Sequence, residues 1–288
     1  MNREGRPDGA AILLHSGIRI PLVVPSSGPL YEGHFPGRPI LPGVGLLDLV
    51  LRVLAAAGAS PVLREIPVLR LRRLVAPGER LDLEVKGFDP DDGRVRFEVR
   101  RAPEVVANGV LGLGEPSPGT GAAEPAGGSS PGAARGTPAY GARRASGIPD
   151  LDDLLPHRPP MRFVEGIETE TDGGIVCAVR IPEQSPFTER GSAPALVALE
   201  MAAQSAAVFE ALRRFRAAEA GGARVGYLVG ARDVRFARAR VPAGETLFAA
   251  VRLSGIALPL CTYAFDVARG SAVVASGTVS TWITATGA

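Results

Sequence analysis

The chain carries an internal echo. Leu69-Arg70-Leu71-Arg72-Arg73-Leu74-Val75-Ala76-Pro77-Gly78-Glu79 returns as Arg235-Phe236-Ala237-Arg238-Ala239-Arg240-Val241-Pro242-Ala243-Gly244-Glu245. Each copy reads as a strand, a tight turn and a second strand. Each also follows an apolar, alanine-rich stretch, Gly43 to Ala57 and Ala193 to Phe215. In the first, Leu46, Leu47, Val50, Leu51 and Leu54 fall three and four apart. Leu196, Leu199, Ala203 and Ala207 do so in the second, and both spacings predict a largely buried helix. Alternating runs come next: Leu81 to Lys86 and Arg94 to Arg100, then Thr246 to Leu253, Thr262 to Ala268 and Ala272 to Trp282. A buried helix followed by an antiparallel meander, twice over, predicts an α+β protein of two antiparallel sheets, each wrapping a central helix.

Between the two copies, from Gly114 to Ser146, apolar periodicity gives way to Pro, Gly, Ala and Ser, which reads as a linker. The expected division is therefore residues 1–113, a linker over 114–146, and residues 147–288, and a chain of 288 residues has length enough for two such domains. A net charge of +2 gives no global field for nucleic acid. Lys86 is the only lysine, and the arginine-heavy basic set reads as compositional bias. Cys177 and Cys261 are too few for a disulfide framework or a multi-cysteine metal site, which suits a reducing cytoplasm. The first apolar run, Ala10 to Leu14, is too short for a signal peptide or a membrane span. No export and no membrane contact are expected.

The stretch richest in chemistry is Gly33-His34-Phe35-Pro36-Gly37-Arg38-Pro39-Ile40-Leu41-Pro42-Gly43-Val44. Three glycines and three prolines between residues 33 and 43 fix the backbone just ahead of a helix, a costly arrangement unless a rigid shape is needed. Gly43 leaves its backbone N–H uncovered by any side chain. Asp48 follows on the helix, fourteen residues after His34.

This stretch resembles the His-Phe-x-Gly-x-Pro-x-x-Pro-Gly motif of the 3-hydroxyacyl-[acyl-carrier-protein] dehydratases of the hot-dog superfamily, including its acidic residue fourteen positions on. The resemblance implies a double hot-dog fold. It also implies a histidine and an acidic residue working across a subunit interface, a helix N-terminus at Gly43 that binds the thioester oxygen, and no cofactor. In the second half, Leu155-Pro156-His157-Arg158-Pro159-Pro160-Met161 is similar to the segment that opens these enzymes. Leu199-Glu200-Met201-Ala202-Ala203-Gln204 is similar to their acidic helix. The histidine motif is missing there, and Pro186 stands fourteen residues before Glu200. The second half thus resembles degenerate subunits that partner an active one in aryl polyene pathways.

Dehydration needs a base at C2, an acid for the departing hydroxyl and a donor for the enolate-like oxygen. Neutral His34 suits the first task. Glu200, kept protonated by an apolar helix and oriented by Gln204 one turn on, suits the second. The Gly43 N–H suits the third. Asp48 is the weaker candidate acid, because in a fused chain the neighbour that faces His34 is the second half. His157 reads as structural, a histidine in a segment that opens a domain and places a strand. His15, His34 and His157 are scattered without carboxylates at ligand spacing, so no metal is expected, and Gly226 to Gly230 is no phosphate loop.

Hydration of an enoyl chain, thioester hydrolysis by a water on Glu200, and a non-catalytic acyl-binding subunit remain alternatives. The expected partner is an acyl carrier protein, steered by Arg70, Arg72, Arg73, Arg235, Arg238 and Arg240. The two halves are expected to pack as an internal pseudo-dimer, with room for a higher homo-oligomer.

Overall fold

The computed structural model describes residues 17–115, 149–217 and 224–285. His15 and nearly all of the expected linker lie outside them. The first half runs β1 (Arg19–Val23), α1 (Gly43–Ala56), β2 (Leu63–Leu71), β3 (Arg80–Asp89), β4 (Arg94–Arg101) and β5 (Glu104–Leu113). The second runs α2 (Leu151–Leu154), β6 (Val164–Thr171), β7 (Gly174–Arg180), β8 (Ser192–Pro194), a 3₁₀ turn (Ala195–Val197), α3 (Ala198–Arg216), β9 (Arg224–Phe236), β10 (Arg240–Pro242), β11 (Thr246–Ala257), β12 (Leu260–Arg269) and β13 (Ala272–Ala285). Both expected helices and all five expected alternating runs form. The fold is thus α+β, with a buried helix ahead of each meander.

Where each half was expected to carry its own sheet, the strands of both halves join in one continuous sheet, with β8 and β10 paired in a small two-stranded sheet apart from it. Eleven strands follow the order β1-β3-β4-β5-β2-β9-β13-β12-β11-β7-β6. The halves join where β2 pairs antiparallel with β9, in a register that sets Glu65 opposite Arg235 and Arg70 opposite Gly230. On either side of this seam the order runs outward as β2-β5-β4-β3 and as β9-β13-β12-β11, so the two halves mirror each other. The echoed sequence lies at this seam: Leu69–Leu71 ends β2, and Arg235–Phe236 ends β9. A single amphipathic strand cannot reveal which edge it will meet, and here each half completes the other's exposed edge.

The helices start where the chain stops being able to pair as a strand. Pro42 precedes α1, and the Leu46 N–H reaches its carbonyl at 3.0 Å. The apolar face of α1, carrying Val44, Leu47, Val50 and Leu54, is buried. Pro194 plays the same part ahead of the 3₁₀ turn that leads into α3. Burial of one such leucine contributes about 1.5–3 kcal/mol, so these faces anchor both halves. Among the described residues one helical stretch, Ala195–Arg216, is long and apolar enough to cross a membrane. Its most apolar window is 83% buried inside the protein, as befits a core helix packed on the sheet.

Candidate active site

His34 sits in a loop held by its own backbone. The Phe35 N–H reaches Arg38 O at 3.3 Å and the Arg38 N–H returns to Phe35 O at 3.0 Å, which closes a tight turn beside the histidine. Ile40 closes it further, donating its N–H to His34 O at 3.1 Å. The ring nitrogen Nδ1 of His34 lies 3.0 Å from Ile40 O. A carbonyl can only accept, so Nδ1 carries the proton and Nε2 is left as the lone-pair nitrogen. Burial pushes the imidazole down to about 4, against a smaller upward pull from Glu200. His34 is therefore neutral at physiological pH, as a general base requires.

Gly33 brings the two halves together at this point. Its φ is +81°, and a Cβ added there would come within 1.9 Å of Arg158 O. The Arg158 N–H donates to Gly33 O at 3.0 Å. Only glycine permits this approach. As a result His157 is delivered to within 5.3 Å of His34, ring centroid to ring centroid, with Phe35 stacked on His34 at 4.2 Å and edge-on to His157 at 4.8 Å.

The third group comes from α3. Glu200 lies in its first turn, where the helix dipole favours an anion. Its Oε1 accepts from Gln204 Nε2 at 3.1 Å and sits 3.2 Å from His157 Nε2. Gln204 is fully buried, and its amide is clamped on both sides. Oε1 takes the Phe163 N–H at 2.8 Å and Nε2 donates to Met161 O at 2.7 Å. The amide orientation is thereby fixed, and one N–H always points at Glu200. Burial pushes the Glu200 carboxyl up, but the hydrogen bonds from His157 and Gln204 pull the other way and leave the group below its ordinary value. The expected desolvation by an apolar helix is present, and the contacts with His157 and Gln204 oppose it.

His34, Gly43, His157 and Glu200 line one small cavity of about 50 Å³ with Leu71, Arg73 and Tyr227. Exposed Arg73 and Leu74 mark its mouth. Gly43 is the first residue of α1, so its N–H has no partner within the helix. A Cβ there would come within 2.5 Å of Leu71 Cδ1.

Asp48 takes no part in this cluster. Its carboxylate accepts from Arg52 Nε at 2.7 Å, and the same guanidinium reaches Glu189 at 2.6 Å, which turns the acid into one end of an ion-pair chain between the halves. His157, read from the sequence as structural, stands inside the site instead. Its Nδ1 is buried without a hydrogen-bond partner among the described residues, unlike the tethered ring of His34. The expectation of scattered histidines also needs correction, since ligand atoms of His34, His157 and Glu200 lie within 4.8 Å of one another. Both cysteines are buried away from this cavity, and burial pushes the Cys177 thiol up to about 12.

Two family models match in tandem. One, for the ApeI dehydratase, covers residues 14–110, and the other, for the ApeP dehydratase, covers residues 149–286. The chain belongs to the hot-dog dehydratases. Among curated relatives of this family, the chain is 39% identical over 87 residues to a 3-hydroxyacyl-[acyl-carrier-protein] dehydratase FabZ of Symbiobacterium thermophilum, covering 25% of this chain and 58% of that one. It is 32% identical over 93 residues to the FabZ of Acetivibrio thermocellus, covering 29% and 64%. The chain thus spans between about half and two thirds of the length of the curated relatives it matches. Among solved hot-dog structures, the dehydratase domain of PpsC from Mycobacterium tuberculosis, in complex with C12:1-CoA, superposes with a TM-score of 0.60 at 17% identity, over 92% of this chain and 93% of that one. A monomeric dehydratase domain from a trans-AT polyketide synthase split module gives 0.61 at 12% identity, over 93% and 99%. At such identities the likeness is one of fold.

Proposed function

We propose that this protein dehydrates 3-hydroxyacyl thioesters, carried on an acyl carrier protein, to trans-2-enoyl thioesters in fatty-acid, polyene or polyketide-type synthesis. One observation carries this reading: a neutral histidine from one half and a carboxylate from the other share a cavity with the uncovered start of a helix. His34 Nε2 takes the C2 proton, since Nδ1 is committed to Ile40 O. The Gly43 N–H and the helix dipole behind it stabilise the thioester oxygen as charge builds on it. Glu200, turned by Gln204, faces the departing hydroxyl. Asp48, spent on Arg52, is left out of the chemistry.

The donors needed are all supplied by this chain, so the proposed reaction calls on no cofactor. The exposed arginines at the seam, Arg70 and Arg235, would meet an acidic carrier, with Arg73 at the mouth already paired with Glu104. Arg240 is already spent on Ser192 and Glu189, and Arg72 on Asn108. We place the enzyme in the cytoplasm, where its two free thiols would stay reduced. The test is to incubate the protein with 3-hydroxyacyl thioesters on a carrier and on coenzyme A, following the conjugated enoyl product. Enoyl product formed faster on the carrier supports the proposal. Release of free thiol without enoyl product shows a thioesterase, and binding without turnover shows an acyl-binding subunit.

A further inference from the structure

The proposed dehydration leaves one proton unaccounted for. Glu200 accepts hydrogen bonds from Gln204 and sits against His157, and both contacts favour its carboxylate form. A carboxylate has no proton to give. Gln204 cannot surrender one either, because an amide N–H is not an acid at these pH values. Of the titratable side chains on the cavity, His34 is the base that must start empty. Tyr227 lies on β9 beside Phe35, and Arg73 stands at the mouth. Arg158, next in sequence, spends its guanidinium on the carbonyls of Asp152, Leu155 and His157. That leaves the imidazole in contact with Glu200.

We propose that His157 is the proton source for the leaving hydroxyl, holding a proton that passes through Glu200. Resting on the dehydratase reading, this assigns to the site a third group that acts through the carboxylate. The geometry is that of a donor to that carboxylate: Nε2 lies 3.2 Å from Glu200 Oε1. Among the described residues no hydrogen bond reaches the other ring nitrogen, so the scaffold does not lock the ring in one tautomer as Ile40 O locks His34. The ring is 4% exposed and its neighbour Glu200 3%, so the proton between them is reached by solvent only through the cavity. A shared proton also makes the buried pair neutral overall, which removes the cost of an isolated buried carboxylate.

The step balances. The C2–H bond breaks toward His34 Nε2, and its electron pair becomes the second bond between C2 and C3. The C3–O bond breaks with its electrons going to oxygen. That oxygen takes a proton from Glu200, which is refilled from His157 Nε2, and water leaves. The enzyme now has a proton on His34 and none on the pair. Ligand atoms of the three groups lie within 4.8 Å of one another, a span that one water bridges, so the proton returns and the cycle closes.

His157→Gln tests this, since its amide can still donate to Glu200 but stores no proton. Its kcat should fall about a hundredfold at neutral pH, the order expected for loss of a general acid. KM should stay within about twofold, as the lost group acts on the transition state alone. Activity should recover as the pH is lowered, because Glu200 then takes its proton from solvent and the optimum moves to the acid side. A merely structural histidine would leave the shape of the pH profile unchanged, and that outcome overturns the proposal. Should the variant not fold, imidazole ¹⁵N NMR of the unaltered protein decides, with only three histidines to assign. The His157 ring should carry protons on both nitrogens through the pH range of full activity and lose one in Glu200→Gln. A His157 ring that stays neutral throughout overturns the proposal. An unaltered protein that forms no enoyl product refutes the dehydratase reading, while the NMR still reports on the pair.

Discussion

Each half of the chain presents a proline, then a helix start, then an acidic residue five positions on: Pro42, Gly43 and Asp48 in one, Pro194, Ala195 and Glu200 in the other. The same local design meets opposite fates. Glu200 is buried between an imidazole and a clamped amide, so its charge acts on a closed cavity. Asp48 is met by Arg52, which is half exposed and reaches on to Glu189. A carboxylate becomes chemistry or glue according to what its neighbour lacks. Pro186 stands fourteen residues before Glu200, where the first half has His34 fourteen before Asp48, and Asp48 pairs with an arginine.

The sharpest way to break this comparison is to remove each acid in turn. We predict that His34→Ala and Glu200→Gln each lower kcat by about a hundredfold or more, whereas Asp48→Asn changes it by less than about threefold. Loss of activity in Asp48→Asn with Glu200→Gln intact would reverse the assignment of the two ends. The next test concerns the contact that joins the halves at the working end. Gly33→Ala places a Cβ within 1.9 Å of Arg158 O at a φ of +81°, while Gly37→Ala, at +76°, meets nothing within 4 Å. Both pay backbone strain of about 1–3 kcal/mol. Only Gly33→Ala also drives a side chain into the other half beside His34 and His157, so it should lower Tm further and lose far more activity than Gly37→Ala, as unfolding scans and kinetics will show.

Acid titration offers a third contrast. The folded His34 pKa, about 4, lies below its unfolded value of about 6.5. The unfolded chain therefore binds the extra proton first, and stability falls as the pH drops from about 6.5 toward 4. His34→Gln should flatten that part of the stability curve in denaturant melts, and Asp48→Asn should leave it in place. The smallest effect belongs to the glue: Arg52→Ala breaks a half-exposed ion-pair chain, and should cost no more than about 1 kcal/mol with unchanged kcat.

His34, Gly43, Glu200 and Gln204 were legible because each sits in a short segment whose spacing has meaning by itself. His157 was not. Its role depends on Glu200, 43 residues further on, and on the contact of Gly33 with Arg158, which no local pattern reports. One signal was available: Arg158-Pro159-Pro160 stiffens the chain beside His157 much as Pro36 to Pro42 stiffens it beside His34. The contacts that act on Glu200 were hidden for a related reason. Helix composition tells of desolvation, whereas the hydrogen bonds that outweigh it come from Met161, Phe163 and His157 in another segment, directly or through Gln204. The strands were legible from alternation, and their union into one sheet was not, because β2 and β9 look alike to a reader of either half alone.

The seam between β2 and β9 has a further consequence, for behaviour on dilution. In an enzyme whose histidine and acid sit on separate chains, the site exists only while the subunits remain associated, and specific activity falls at low protein concentration. Here the two halves share one polypeptide and a backbone ladder, so the second half is always present at the high effective concentration of a tethered partner. Each His34 meets one Glu200 and no other, and turnover per chain should hold constant down to the lowest concentration at which it can be measured.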